Sequence, residues 1–286
     1  MGKPMKEREG LQIYEDLRSA HRLRGHSLKD TSDKNQQFWS ELCGTHLAQR
    51  LGITDASSES LRKYDEAYFK FYSYLLPIVR PETMNGKKVL DVGLGYGPLG
   101  QKMVEAGAIY TGMDITRAPC EMMLHRINLI GKWGTVVQGD FLTNDFHDNL
   151  FDVVVGIGTP HHTGDVLRCI REIHRVLKPG GRAVVMVHNT FSLRWWLRWP
   201  KDTLKALFSQ TPIYGSAEQR GAYDYRLDGS VAPSTQFSSV KMMREAFSRF
   251  SKVKIVKRNT EMFGRSVTLW LIGPFLGLDI YITAEK

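Results

Sequence analysis

Two sets of residues in this sequence could do chemistry. The first lies in residues 88–100, KVLDVGLGYGPLG. Val89, Leu90 and Val92 form the apolar run of a buried parallel strand, with Asp91 at its carboxyl end. Gly93, Gly95 and Gly97 follow, giving a turn that bends tightly and approaches a ligand without Cβ atoms in the way. Pro98 suits the first position of a helix, and Gly107 ends it. A strand, a glycine turn and a helix N-terminus together make a nucleotide site. Residues 95–100 also satisfy the dinucleotide spacing G-x-G-x-x-G. Asp91 separates the two readings, because a carboxylate repels a pyrophosphate and attracts a ligand carrying an ammonium and a sulfonium. The second set is GTPHHTGD, residues 158–165, where His161 and His162 sit together in a loop after an apolar strand. Imidazoles titrate near neutrality and serve as general bases.

The ungapped D-x-G-x-G-x-G from Asp91 to Gly97 resembles motif I of the class I S-adenosylmethionine (SAM) methyltransferases. The helix-loop-strand text RVLKPGGRAVVMV resembles the corresponding part of many small-molecule members. The resemblance implies SAM as cofactor and an α/β fold. Its doubly wound, seven-stranded, mostly parallel sheet has the order 3-2-1-4-5-7-6 and an antiparallel last strand. It assigns Asp91, Gly93, Leu94, Gly95 and Gly97 to the cofactor cradle. Asp114, 19 residues past Gly95, falls with Ile115 where doubly wound folds place a carboxylate on the ribose. Asp140 and Phe141 are assigned to the adenine, and Gly158 to the cofactor's other edge. The loop after strand four lies beside the cofactor's methyl in this fold, which implies His161 and His162 as catalytic residues. One would be the base and the other a hydrogen bonder; which is which stays open. A His-His pair at this point resembles sugar and natural-product O-methyltransferases.

The elements that must position these residues alternate, as in a parallel sheet. Strands are predicted at 109–113, 135–139, 151–157, 182–188, 252–256 and 279–283, and helices at 118–130, 166–177 and 242–250. Asp165 reads as a helix cap and Cys120 as helix packing. Residues 86–286 form the SAM-binding domain, and residues 1–85 an N-terminal arm and helical cap. Residues 1–36 carry no evident chemistry. The stripe Tyr64, Tyr68, Phe71, Tyr72 and Leu75 has helical spacing and reads as core, with Pro77 and Pro81 ending the element. The alternative is a cap helix whose Tyr68 and Tyr72 hydroxyls reach cofactor or substrate. An insertion after strand five, residues 189–237, opens with Trp195, Trp196 and Trp199 among Arg194, Arg198, Lys201 and Lys205. It reads as a lid packing its tryptophans over the pocket, and otherwise as a peripheral membrane contact. Tyr223 and Asp224 in its second half, and His188 at the end of strand five, are candidates for binding a polar acceptor.

Composition sets the outer limits. A chain of 286 residues with 42% hydrophobic content supports one large domain or an α/β domain with a cap. Three cysteines without a C-x-x-C pair point to a reducing, cytoplasmic setting. The charged N-terminus lacks a signal-peptide core, and the apolar run 269–278 is too short to span a bilayer. No metal site is expected, since two adjacent imidazoles and Asp165 rarely aim at one ion without further ligands. The expected function is methyl transfer from SAM to a hydroxyl, or an amine, of a small-molecule, natural-product or glycan-like acceptor. The net charge of +9 raises an RNA methyltransferase as an alternative, but the loop after strand four lacks [DNS]-P-P-[YF], and nucleic acid is not the expected partner. An NAD-dependent oxidoreductase and a non-catalytic SAM-binding partner are the remaining readings.

Overall fold

The computed structural model describes residues 28–40, 45–226, 228–259 and 274–286. The first part of the N-terminal arm, Cys43 and residues 269–273 of the apolar run lie outside the described residues. Seven strands make the central sheet: β1 (Lys88–Val92), β2 (Ile109–Asp114), β3 (Thr135–Gln138), β4 (Phe151–Ile157), β5 (Leu177–His188), β6 (Ser251–Arg258) and β7 (Asp279–Glu285). Their order is 3-2-1-4-5-7-6, parallel through β5, with β7 antiparallel to both neighbours. This is the expected Rossmann-like topology.

The sheet is covered on both faces, so its central strands are nearly continuous apolar runs. On β4, Val154 enters one core cluster with Ile170, Ile173 and Phe247, while Val153 and Val155 enter the other with Met103, Met123 and Ile127. The two-residue strand period places these neighbours on opposite faces. Helices α4 (Pro98–Glu105) and α5 (Arg117–Leu129) supply one layer; α6 (Val166–Val176) and α9 (Val240–Ala246) supply the other. Asp165 caps α6, its carboxylate accepting from Arg168 N at 2.8 Å.

Several predicted boundaries move, each for a local reason. The helix expected to run to Leu177 stops at Val176, because Leu177 already pairs with Phe151 at the start of β5. The helix expected at 242–250 begins at Val240, because Ser239 caps it by accepting from Met242 N. β6 and β7 run longer than expected because they pair with each other along their length.

Upstream of β1 the chain forms α1 (Leu28–Phe38), α2 (Thr45–Arg50) and α3 (Ser58–Phe71). Ser57 starts α3 by accepting from Ser60 N, and Tyr72 closes it. Pro77 does not end that helix but lies inside a separate short one, Leu75–Val79. Proline is tolerated there because a first-turn N–H has no partner to lose. In the insertion, α7 (Leu193–Arg198) and α8 (Pro200–Ala206) bury Trp195 and Trp199 against Phe237, leaving Leu204 and Phe208 exposed. Among the described residues, no helix is long and apolar enough to cross a membrane.

Candidate active site

The carboxyl ends of β1, β2 and β4 open into one chamber of about 590 Å³. Such a volume lies within the usual range of ligand pockets. The glycine turn after β1 forms one wall. Gly93 and Gly95 have φ values of +83° and +53°, and a Cβ on Gly93 would overlap the Thr159 hydroxyl. The bare backbone at this point is therefore a steric requirement. Asp114 fixes the turn from β2: its Oδ2 accepts from Leu94 N at 2.8 Å, and its Oδ1 accepts from Thr116 N and Oγ1. Asp91 is buried, and Tyr110 donates to its Oδ2 at 2.9 Å. Burial pushes the Asp91 pKa up to about 7, with the nearby Asp114 adding to the rise. Among the described residues this carboxyl has no cationic partner, and a ligand's ammonium would supply one.

The helical cap forms the roof. Arg126 of α5 is fully buried and donates two hydrogen bonds to Asp65 of α3, at 2.8 and 3.0 Å. Its Nε donates to Tyr96 O at 2.6 Å, which ties α3 to the glycine turn. Tyr64 stacks on Tyr96 with ring centroids 4.1 Å apart. From α1, Asn35 donates to His162 O at 2.6 Å, and the adjoining Trp39 packs its ring 4.9 Å from that of His162.

At the far end, β4, β5, β7 and the insertion bring five ionisable side chains together. The short helical turn Pro160–His162 buries His161 and His162. His188, the last residue of β5, stands opposite Asp279, the first of β7, and their Nδ1 and Oδ1 atoms are 2.9 Å apart. Asp224 reaches in from the insertion, with Oδ2 at 3.5 Å from the Nε2 atoms of both His162 and His188. Burial drives the His161 pKa well below the ordinary imidazole value, and the neighbouring His188 and His162 drive it further. Burial also lowers His162, although Asp224 opposes it. For His188, burial acts downward too, but Asp224 and Asp279 overcome it and raise the pKa to about 9. Without ligands, the positive charge of the cluster therefore sits on His188.

Comparison with known proteins gives the family. Residues 90–185 match the methyltransferase domain family. A cycloartenol-C-24-methyltransferase of Arabidopsis thaliana is 36% identical over 141 residues, covering 47% of this chain and 38% of its own. A ubiquinone biosynthesis O-methyltransferase of Pseudomonas aeruginosa is 31% identical over 144 residues, 49% of this chain and 57% of its own. The match spans less than two thirds of either relative. A crystal structure of a SAM-dependent methyltransferase from Methanosarcina mazei covers 73% of this chain and 97% of its own, with a TM-score of 0.50 and 19% identity. That likeness is one of fold.

The chain carries a class I SAM-dependent methyltransferase domain. The domain's cofactor is SAM, and the cradle suits it: a bare glycine backbone beside a buried carboxyl with no cation among the described residues. In this methyltransferase the chamber is lined by Asp91, Gly93, Leu94, Gly95, Asp114, Ile115, Asp140, Phe141 and Gly158 from the predicted cofactor set. Gly97 is the exception. It does not line the chamber, because its α-carbon faces Arg126, where a Cβ would come within 2.8 Å of Cδ. Its place in the motif is explained by helix packing and its φ of +82°. His161, His162, His188, Tyr68, Tyr72, Tyr223 and Asp224 also line the chamber. The tyrosine stripe of α3 therefore faces the site as well as the core.

Sequence reasoning missed the roof and the outer partners. The arm read as having no chemistry contributes Ser32 and Asn35 to the chamber. Arg126, Asp65, Thr159 and Asp279 were not singled out. The glycine at position 93 was a usable signal for a close neighbour, but nothing local pointed to Asn35, which lies 127 residues from its partner His162.

Proposed function

We propose that this methyltransferase transfers a methyl group to a hydroxyl of a small polar acceptor, with His162 as the proton acceptor. One observation carries the reading: the Asp91–Gly95 cradle and the His–Asp cluster share a single chamber. When bound, SAM supplies an electrophilic methyl on a sulfonium sulfur. The chain's own residues then have two tasks. They must hold an oxygen nucleophile in line, and they must take its proton. His162 Nδ1 donates to Ser234 O at 2.9 Å, which leaves Nε2 as the bare nitrogen facing the chamber. A proton taken there stands 3.5 Å from Asp224 Oδ2, where the carboxylate stabilises the imidazolium. Tyr223, with Asp224 beside it in the insertion, offers hydrogen bonds to further polar groups of the acceptor. The Pseudomonas relative's name as an O-methyltransferase supports oxygen as the acceptor atom.

The test is SAM offered with pools of hydroxylated small molecules, and mass spectrometry for a gain of roughly 14 Da, about one methylene. Asp91→Ala is expected to abolish SAM binding in calorimetry. His162→Ala is expected to keep that binding and to lose about 100- to 10,000-fold in turnover. Absence of SAM affinity in the full chain would overturn the reading, as would turnover that His162→Ala leaves intact.

A further inference from the structure

We infer that His161, His162, His188 and Asp224 form a binding site for one divalent transition-metal ion of the zinc and iron class. One ligand atom from each of the four lies within 4.8 Å of the others. That is wider than the ~3.4 Å edge of a tetrahedron built on ~2.1 Å bonds, so the side chains would close in slightly on the ion. Asp224 Oδ2 is already 3.5 Å from the Nε2 atoms of His162 and His188.

The outer bonds of the imidazoles make the case. His162 Nδ1 is held by Ser234 O, and His188 Nδ1 by Asp279 Oδ1, both at 2.9 Å. His161 gives its hydrogen bond to the Met186 backbone carbonyl, leaving Nδ1 bare. Three separate oxygen acceptors thus fix three ring orientations; His162 and His188 turn Nε2 toward Asp224, and His161 brings a ring nitrogen within 4.8 Å of the other ligand atoms. A carbonyl or carboxylate behind each ligating histidine is the usual second partner of a metal-bound imidazole. Meanwhile His161 Nδ1, His188 Nε2 and Asp224 Oδ2 are buried without a well-formed hydrogen bond, the last two facing each other at 3.5 Å. Buried lone pairs converging on a carboxylate need a cation between them. A proton on one imidazole answers that need for a single pair of atoms; a metal ion answers it for all four.

The donor set selects the class of ion. Three imidazoles with one carboxylate suit zinc, ferrous iron and their neighbours, whereas magnesium and calcium take oxygen ligands. The ligands that two adjacent histidines lack come from β5 and the insertion. Asp165 is not among them, because its carboxylate caps α6. Four protein ligands leave room for one more on an ion that accepts five. The ion's existence is independent of the function proposed above, but its role rests on that reading. An acceptor hydroxyl in the open position would ionise on the metal and release its proton to solvent, in place of transfer to His162. Its oxygen would then form the C–O bond as the C–S bond breaks.

The test uses the full chain, stripped with a chelator and dialysed separately against zinc, ferrous and magnesium salts. Elemental analysis is expected to find one zinc or one iron per chain and no magnesium. Cobalt is expected to give the visible absorption of a four- or five-coordinate site. In competition with a chromophoric chelator, His188→Gln and Asp224→Asn should each weaken zinc binding about 100-fold, and Asp279→Asn, acting through His188, about 10-fold. SAM titration of each variant reports folding and should not move. Zinc well below one equivalent in the wild-type chain would overturn the inference, as would an affinity that His188→Gln and Asp224→Asn leave unchanged. If those variants misfold, the wild-type stoichiometry and cobalt spectrum decide. Full turnover in the stripped enzyme removes the ion and keeps the methyl transfer; tight zinc binding with no acceptor methylated does the reverse.

Discussion

Asp91 shows how one residue can be costly to the fold and necessary to the site. Its carboxyl is buried with a pKa of about 7 against an ordinary 3.8. Between those values the folded chain holds a proton that the unfolded chain has released, so stability falls as pH rises through that window. Above it, the buried charge works against folding. Asp91→Asn should therefore stabilise the SAM-free protein at pH 8 by an amount on the order of 1–3 kcal/mol. The gain should vanish near pH 4, as read from denaturant midpoints. SAM binding supplies the missing cation and pulls the pKa down, so at pH 6 it should release close to one proton. Calorimetry in two buffers of different ionisation enthalpy measures this, and no proton release at pH 6 would mean that the ligand's charge lies elsewhere. The sequence made Asp91 legible because its type and its offset from Gly93 were both informative. Gly97 misled for the complementary reason: glycine spacing does not say whether the missing Cβ faces a ligand or, as here, Arg126.

Among the elements, the doubly wound core was readable and the roof was not. Strands announce themselves through local apolar runs, and β4 spans Phe151–Ile157 as predicted. Docking of α3 depends instead on Arg126 meeting Asp65, 61 residues away, inside a seam that neither helix's pattern reveals. The seam makes its own prediction. Asp65→Ala would leave a fully buried guanidinium without its carboxylate, a loss of about 3–5 kcal/mol in urea unfolding. Replacing both partners, with Arg126→Met beside Asp65→Ala, should recover much of that loss, because it removes the uncompensated charge. If the double variant is no better than the single, Arg126 matters chiefly through its bonds to Tyr96 O and Gln101.

For the whole molecule, the question is whether the roof closes over the cofactor, the acceptor or both. α1 reaches both ends: Gln36 donates to Ile115 O at 3.3 Å, just past the end of β2, and Asn35 to His162 O at the cluster. Trp39, however, packs on His162 in the cluster. The central strands are buried on both faces, whereas α1 is anchored by a few side chains, so local opening should begin at α1. Trp39→Ala should therefore leave SAM affinity within about twofold while speeding hydrogen exchange across residues 161–163 about 10-fold or more, since less than 2 kcal/mol of local opening energy is enough. Turnover should fall with it, because water reaching the cluster weakens every charge interaction there. A large loss of SAM affinity in the same variant would instead mean that cap and cradle open as one unit. The acceptor could then enter only with the cofactor site exposed.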